Sequence, residues 1–68
     1  MRSLVRVRLP IKENDSRINS RRSYLAKIEK NWYAGTFTRY EYGWNFNAVY
    51  DAGFQLDWDG WEELYEIQ

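Results

Sequence analysis

The sequence contains no cysteine and no histidine. The first absence rules out a disulfide framework and a thiolate metal site. The second removes the commonest general base and the commonest zinc ligand. Together they exclude most nucleophile–base pairs, so an enzyme is not expected. Proline occurs once and methionine once. No apolar run approaches the roughly 18 residues of a membrane span, and no signal peptide is visible. A soluble cytoplasmic or intracellular protein, without metal or cofactor, is the default expectation. No phosphate loop or dinucleotide fingerprint is present.

Aromatic residues are abundant. Four Trp, six Tyr and three Phe fall within 68 residues. That length holds one domain, here 1–68, and a chain this short buries only about 60% of its unfolded surface. Each large ring buries about 150–250 Å², which makes an unstapled core feasible.

Charge sums to zero but is unevenly spread. Residues 1–30 carry nine Lys/Arg against three Asp/Glu, and residues 51–68 carry six Asp/Glu and no base. Folding is expected to bring the basic and acidic ends together, although two opposed faces are the alternative.

Leu4 to Leu9 alternates, with Val5, Val7 and Leu9 opposite Arg6 and Arg8, the two-residue period of a half-buried strand. Pro10 ends it or places it at an edge. Residues 11–22 form a polar loop that is long for so small a domain. Arg17, Arg21 and Arg22 make it a candidate anion-binding or nucleic-acid-binding loop. Tyr24 to Ile28 is the next strand, with Tyr24, Ala26 and Ile28 on one face and Lys27 and Glu29 turned out. Lys30-Asn31 turns the chain into a long strand from Trp32 to Glu41. Gly35 inside it predicts a bulge or bend. A turn at Tyr42-Gly43-Trp44-Asn45 leads to a strand in which Phe46, Ala48 and Tyr50 alternate with Asn47 and Val49. A tight turn at Asp51-Ala52-Gly53 precedes a further strand, Phe54 to Trp58. A short 3-10 or helical turn over Asp59 to Glu63 and a last strand, Leu64 to Ile67, complete the reading. Glycines at 35, 43, 53 and 60 punctuate the second half at a spacing that suits a meander of short strands.

The run Trp32-Tyr33-Ala34-Gly35-Thr36-Phe37-Thr38-Arg39-Tyr40, with Ala48-Val49-Tyr50-Asp51-Ala52-Gly53-Phe54, resembles the Tudor-like branch of SH3-like small β-barrels. The likeness covers about residues 24–67, and its motifs are short. It implies an all-β, five-stranded barrel with a partner-binding groove at one end, often an aromatic cage for methylated Lys or Arg. Tyr33, Tyr50 and Phe54 match cage positions. Two departures weaken a cage. Ile28 stands where many such readers carry Trp, and Ala52 stands where an acidic residue often precedes the glycine.

The expected function is therefore a non-enzymatic binding module whose partner is a protein. Its predicted face comprises Tyr33, Tyr50 and Phe54, extended by Trp44 and rimmed by Asp51. Trp58 and Trp61 either close the barrel bottom or, with the acidic C-terminal segment, form the alternative binding site. The alternatives are a nucleic-acid-binding barrel and a phage-type inhibitor of a host defence nuclease. The first would use Arg6, Arg8, Arg17, Arg21, Arg22 and Lys27 beside Trp32 or Tyr40. The second is an anti-CRISPR-like reading that rests on composition alone. The carboxylates Asp57, Asp59, Glu62 and Glu63 surround Gly60 too closely for a calcium loop and read as a solvated rim.

Overall fold

A computed structural model describes residues 3–12, 14–41, 43–49 and 60–68. Five antiparallel strands form one sheet: β1 (Leu4–Arg6), β2 (Ser23–Ile28), β3 (Asn31–Tyr40), β4 (Gly43–Ala48) and β5 (Trp61–Ile67). Their order is β1-β5-β2-β3-β4. The all-β expectation therefore holds, but closure into a barrel does not appear. Among the described residues β1 and β4 are the two edges and no ladder joins them.

Alternation builds the core. Tyr24, Ala26 and Ile28 of β2 point inward, as do Phe37 of β3, Trp44, Phe46 and Ala48 of β4, and Leu64 of β5. Phe37 is the hub of this face. Its ring lies 4.9 Å from Tyr24, 5.0 Å from Phe46, 6.4 Å from Trp44 and 5.8 Å from Trp61. Trp61 also meets Phe46 edge-on at 5.5 Å. In a flat sheet, strands three places apart lie about 14 Å apart. Contact between β5 and β4 rings therefore requires the sheet to curl around its inner face.

Trp61 reaches that face through a β-bulge. Lys27 pairs with Glu63 and Ile28 with Trp61, so Glu62 is the extra residue on β5. The bulge brings both Trp61 and Leu64, three residues apart, to the inner face, where strict alternation would separate them. This corrects two expectations. Residues 61–63 of the expected turn belong to β5, while Gly60 just before it is in 3-10 geometry and Asp59 lies outside the described residues. The irregularity belongs to β5, since the ladders through Gly35 keep their register.

Gly35 is required for a different reason. It pairs with both Tyr24 and Ala48. A Cβ there would overlap the Asn47 carbonyl oxygen and stand 2.9 Å from the Ala48 Cα. Both obstacles are backbone and cannot rotate away.

The β2–β3 turn is Glu29-Lys30, one residue earlier than expected. Its φ angles are 48° and 71°, the left-handed pair that a two-residue hairpin demands and that Asn-Gly satisfies best. Distant residues hold it. The Glu29 N–H donates to the Gly60 carbonyl at 3.1 Å and the Lys30 N–H to Glu62 Oε2 at 2.8 Å. The bulge residue thus caps the strained turn.

The expected turn at 42–45 is shorter, because Gly43, with φ of 134°, already begins β4. Trp44 consequently lies within a strand and is only 7% exposed. Lys27 sits 3.9 Å from Glu63, and acidic β5 runs between basic β1 and β2. Within this part of the fold the two charged ends do come together.

Two stability measurements check these assignments. Gly35→Ala should cost about 2 kcal/mol or more in urea unfolding, because the added methyl meets fixed backbone. A neutral result would mean that β3 and β4 are farther apart than described. Lys30→Gly should stabilise by about 1 kcal/mol by relieving the left-handed strain, raising Tm by about 4–8 °C. An unchanged or lowered Tm would contradict the turn geometry.

Candidate functional site

Residues 11–12 and 14–22 form a plug organised by Asp15. The Asp15 carboxylate is buried and accepts from the Lys12 and Arg17 N–H groups, from Arg17 Nε at 2.8 Å and from Arg17 Nη2 at 2.6 Å. Arg17 Nη2 also donates to the Pro10 carbonyl at 3.3 Å. Ile11 and Ile18 are buried in the same cluster as the inner face of the sheet. The Asn19 N–H donates to the Tyr24 hydroxyl, which donates to Glu66 Oε2 at 3.0 Å. Burial pushes the Tyr24 phenol upward. Arg39 Nη2 ties the plug to β3 through Asn14 Oδ1 at 2.6 Å.

This arrangement decides which predicted residues are free to act. Arg17 spends its guanidinium inside the plug, so it is a structural residue first. Arg21 and Arg22 are exposed on the following turn. Trp44 is in the core, with the Arg39 guanidinium 5.5 Å from its ring centroid. Tyr33 is half-buried and packs against the core. Tyr50, Asp51 and Phe54 lie outside the described residues, as do Trp58, Asp57 and Asp59 and the predicted strand 54–58. The structure therefore brings Tyr33 and Trp44 to the inner side and says nothing of the other three. Glu62 and Glu63 take separate partners, Glu62 the Lys30 N–H and Glu63 the Lys27 ammonium and Tyr65 hydroxyl. Among the described residues no acidic group has the makings of a metal site.

The outer face of the sheet carries a different constellation. The paired registers place Arg6, Tyr65, Leu25 and Ala34 in one row across β1, β5, β2 and β3. Val49 continues it, its N–H donating to the Ala34 carbonyl at 2.8 Å. The next row reads Glu63, Lys27, Trp32. Trp32 is 49% exposed, Val49 63% and Leu4, on the far side, 52%. The Trp32 ring lies 6.2 Å from the Tyr65 ring, and Lys27 Nζ stands 5.8 Å from the Trp32 centroid. The Tyr65 hydroxyl donates to Glu63 Oε1 at 2.7 Å, which holds the phenol proton and raises its pKa. The result is an apolar band with two exposed or half-exposed rings, edged by Arg6, Lys27 and Glu63.

This face was not among the sequence-based expectations, although the sequence carries a signal for it. Tyr24-Leu25-Ala26 and Trp32-Tyr33-Ala34 are apolar at both parities, which means two apolar faces. Tyr65 and Ile67 fall on the outer one.

No family model, curated protein or solved structure matches the chain. Among the described residues no helix is long and apolar enough to cross a membrane.

The plug has a pH signature. The Arg17 side-chain bonds hold the Asp15 carboxyl well below the usual carboxylate range, with the Arg17 and Lys12 N–H groups adding to them and burial opposing. The unfolded carboxyl titrates near pH 3.9. Because the folded value is the lower one, the stabilisation is present above about pH 4 and drains as pH falls further. Asp15→Asn should therefore be less stable than wild type at neutral pH, and the gap should narrow below about pH 4. Urea titrations at both pH values check this, and a gap independent of pH would remove Asp15 from its role.

Proposed function

We propose that this chain is a non-enzymatic binding module that engages another protein through the outer face of its sheet. The observation that carries the reading is Trp32, half out of water on an open sheet face and flanked by Tyr65 and Lys27. Trp, Tyr and Arg dominate interface energies, and an apolar centre with a charged rim is the usual anatomy of a contact surface. The row from Tyr65 to Val49 supplies the centre, and Arg6, Lys27 and Glu63 supply the rim.

The SH3-like, Tudor-like kinship belongs to the same proposal. Five antiparallel strands and the curl that brings Trp61 onto Phe46 support it. A methyl-ammonium cage built from Tyr33, Tyr50 and Phe54 has less support, since Tyr33 is engaged with the core.

One observation favours a second reading. Arg6 and Lys27 share the outer face with Trp32 and Tyr65, and single-stranded nucleic acid binds where rings for stacking stand beside cations. Glu63 in the same rows opposes it.

The test is affinity capture with wild-type and Trp32→Ser chains, identification of the bound proteins, and direct titration of the purified partner. Loss of an anchoring ring should cost about 2 kcal/mol or more in binding. The thermal melt should move little, because the ring is half exposed. A folded Trp32→Ser chain that binds at wild-type strength would overturn the proposal. Tight binding of a single-stranded oligonucleotide at about 50 mM salt, falling steeply with added salt, would transfer the face to the second reading.

A further inference from the structure

The outer edge of β1 is a site of a different kind. The Ser3 carbonyl accepts from the Gln68 N–H at 2.9 Å and the Val7 N–H donates to the Leu64 carbonyl at 2.9 Å. With Val5 opposite Glu66, the odd-numbered residues of β1 bond to β5. The N–H and C=O groups of Leu4 and Arg6 therefore point away from the sheet, and among the described residues nothing pairs with them. Leu4 and Val5 are both exposed here, Val5 at 44%.

A groove runs along each side of this edge. On the outer-face side a cavity of about 440 Å³ is lined by Arg6, Val7, Arg8, Leu9, Glu62 and Glu63. On the inner-face side one of about 360 Å³ is lined by Val5, Arg6, Val7, Arg8, Arg17 and Glu66. The carboxylates in both are engaged within the fold: Glu62 by Lys30, Glu63 by Lys27 and Tyr65, Glu66 by Tyr24 and Gln68. Arg17 is engaged by Asp15. Arg6 and Arg8 line both grooves and have no hydrogen-bonded or ion-paired partner among the described residues. Glu62 and Glu66 accept from neutral donors and keep their charge, but of the ionised side chains lining the grooves Arg6 and Arg8 alone make no hydrogen bond among the described residues, and they occupy consecutive positions of one strand parity. The other parity offers the apolar side chain of Val5.

We infer that β1 accepts an extended acidic peptide as a sixth strand. Backbone groups of the peptide bond to Leu4 and Arg6. Acidic side chains at alternate positions lie along Arg6 and Arg8, and apolar side chains between them cover Val5. Main-chain pairing supplies affinity in such strand addition, and alternate side chains supply selectivity. The inference rests on the protein-binding reading and deepens it by naming the kind of segment recognised; it shares Arg6 with the rim of the outer face but does not use Trp32.

The experiment uses three synthetic peptides of equal length: alternating Glu and Val, alternating Lys and Val, and the Glu–Val composition rearranged into two blocks. Binding to the full chain is followed by fluorescence anisotropy and by amide exchange. The alternating Glu–Val peptide should bind, and the Leu4 and Arg6 amides should gain protection. Arg6→Ala with Arg8→Ala should weaken it about tenfold or more, and salt raised from about 50 to 500 mM should weaken it as well. Leu4→Pro removes an outward N–H that the sheet does not use, so the chain should stay folded and lose the peptide. Trp32→Ser should leave peptide affinity within about twofold. Equal binding of the Lys–Val or the block peptide, protection confined to residues other than the edge pair, or no binding at all would overturn the inference. Capture of a partner that still depends on Trp32 would then leave the broader reading standing. Loss of peptide affinity in Trp32→Ser would place the peptide on the sheet face and overturn the edge assignment.

Discussion

Contact between the Phe37 ring and rings from three other strands is the interaction on which this molecule depends. A domain of this size has too little interior to spread its burial over many small side chains. It concentrates burial in Tyr24, Phe37, Phe46 and Trp61, packed edge-on, tilted or stacked at 4.9 to 5.8 Å. Edge-to-face and offset packing suits the ring quadrupoles and adds to area burial. Drawing these rings together curls the sheet, and the curl gives the protein a closed inner side and an open outer side. The outer face can carry Trp32 and Tyr65 in partial contact with water only because the inner face already holds the core.

The bulge at Glu62 connects this packing to the backbone. Without the extra residue, Trp61 and Leu64 could not both turn inward. With it, the Glu62 carboxylate reaches the Lys30 N–H and quiets a turn built from residues poorly suited to left-handed geometry. A core requirement at one end of β5 and a turn requirement at the end of β2 are met by the same residue. Asp15 plays the corresponding part elsewhere, folding a polar loop so that Ile11 and Ile18 join the buried cluster of the inner face.

The strands were legible wherever strict alternation prevails. Tyr24, Ala26 and Ile28, and Phe46 with Ala48, read correctly because each strand obeys one period and one face. Legibility failed where a residue serves a distant partner. Nothing local marks Glu29-Lys30 as a turn, since its stabilising groups belong to Gly60 and Glu62. Trp44 looked like a turn residue beside Gly43, yet that glycine is the first residue of a strand. Ile11 and Ile18 fell unnoticed inside a stretch read as a polar loop, and Arg17 looked like a free cation because its pairing with Asp15 is defined by three-dimensional folding. The candidate face was visible only as apolar residues at both parities. Reading single strands for one buried face hid Tyr65 and Leu25 in the opposite parity, and Trp32 stood out only as a stacking ring for the nucleic-acid alternative.

The strand order also sets a sequence of events for the chain. β2, β3 and β4 form a meander of neighbours, whose closure costs little conformational entropy. β1 has no such neighbour. Its partner is β5, more than fifty residues away along the chain, and β5 must enter between β1 and β2 to join them. Pairings of that separation carry a larger loop-closure cost and slow the search for the native state. The first strand of the sequence is therefore committed only when the last has arrived, and the two become ordered as one unit rather than by growth from either end.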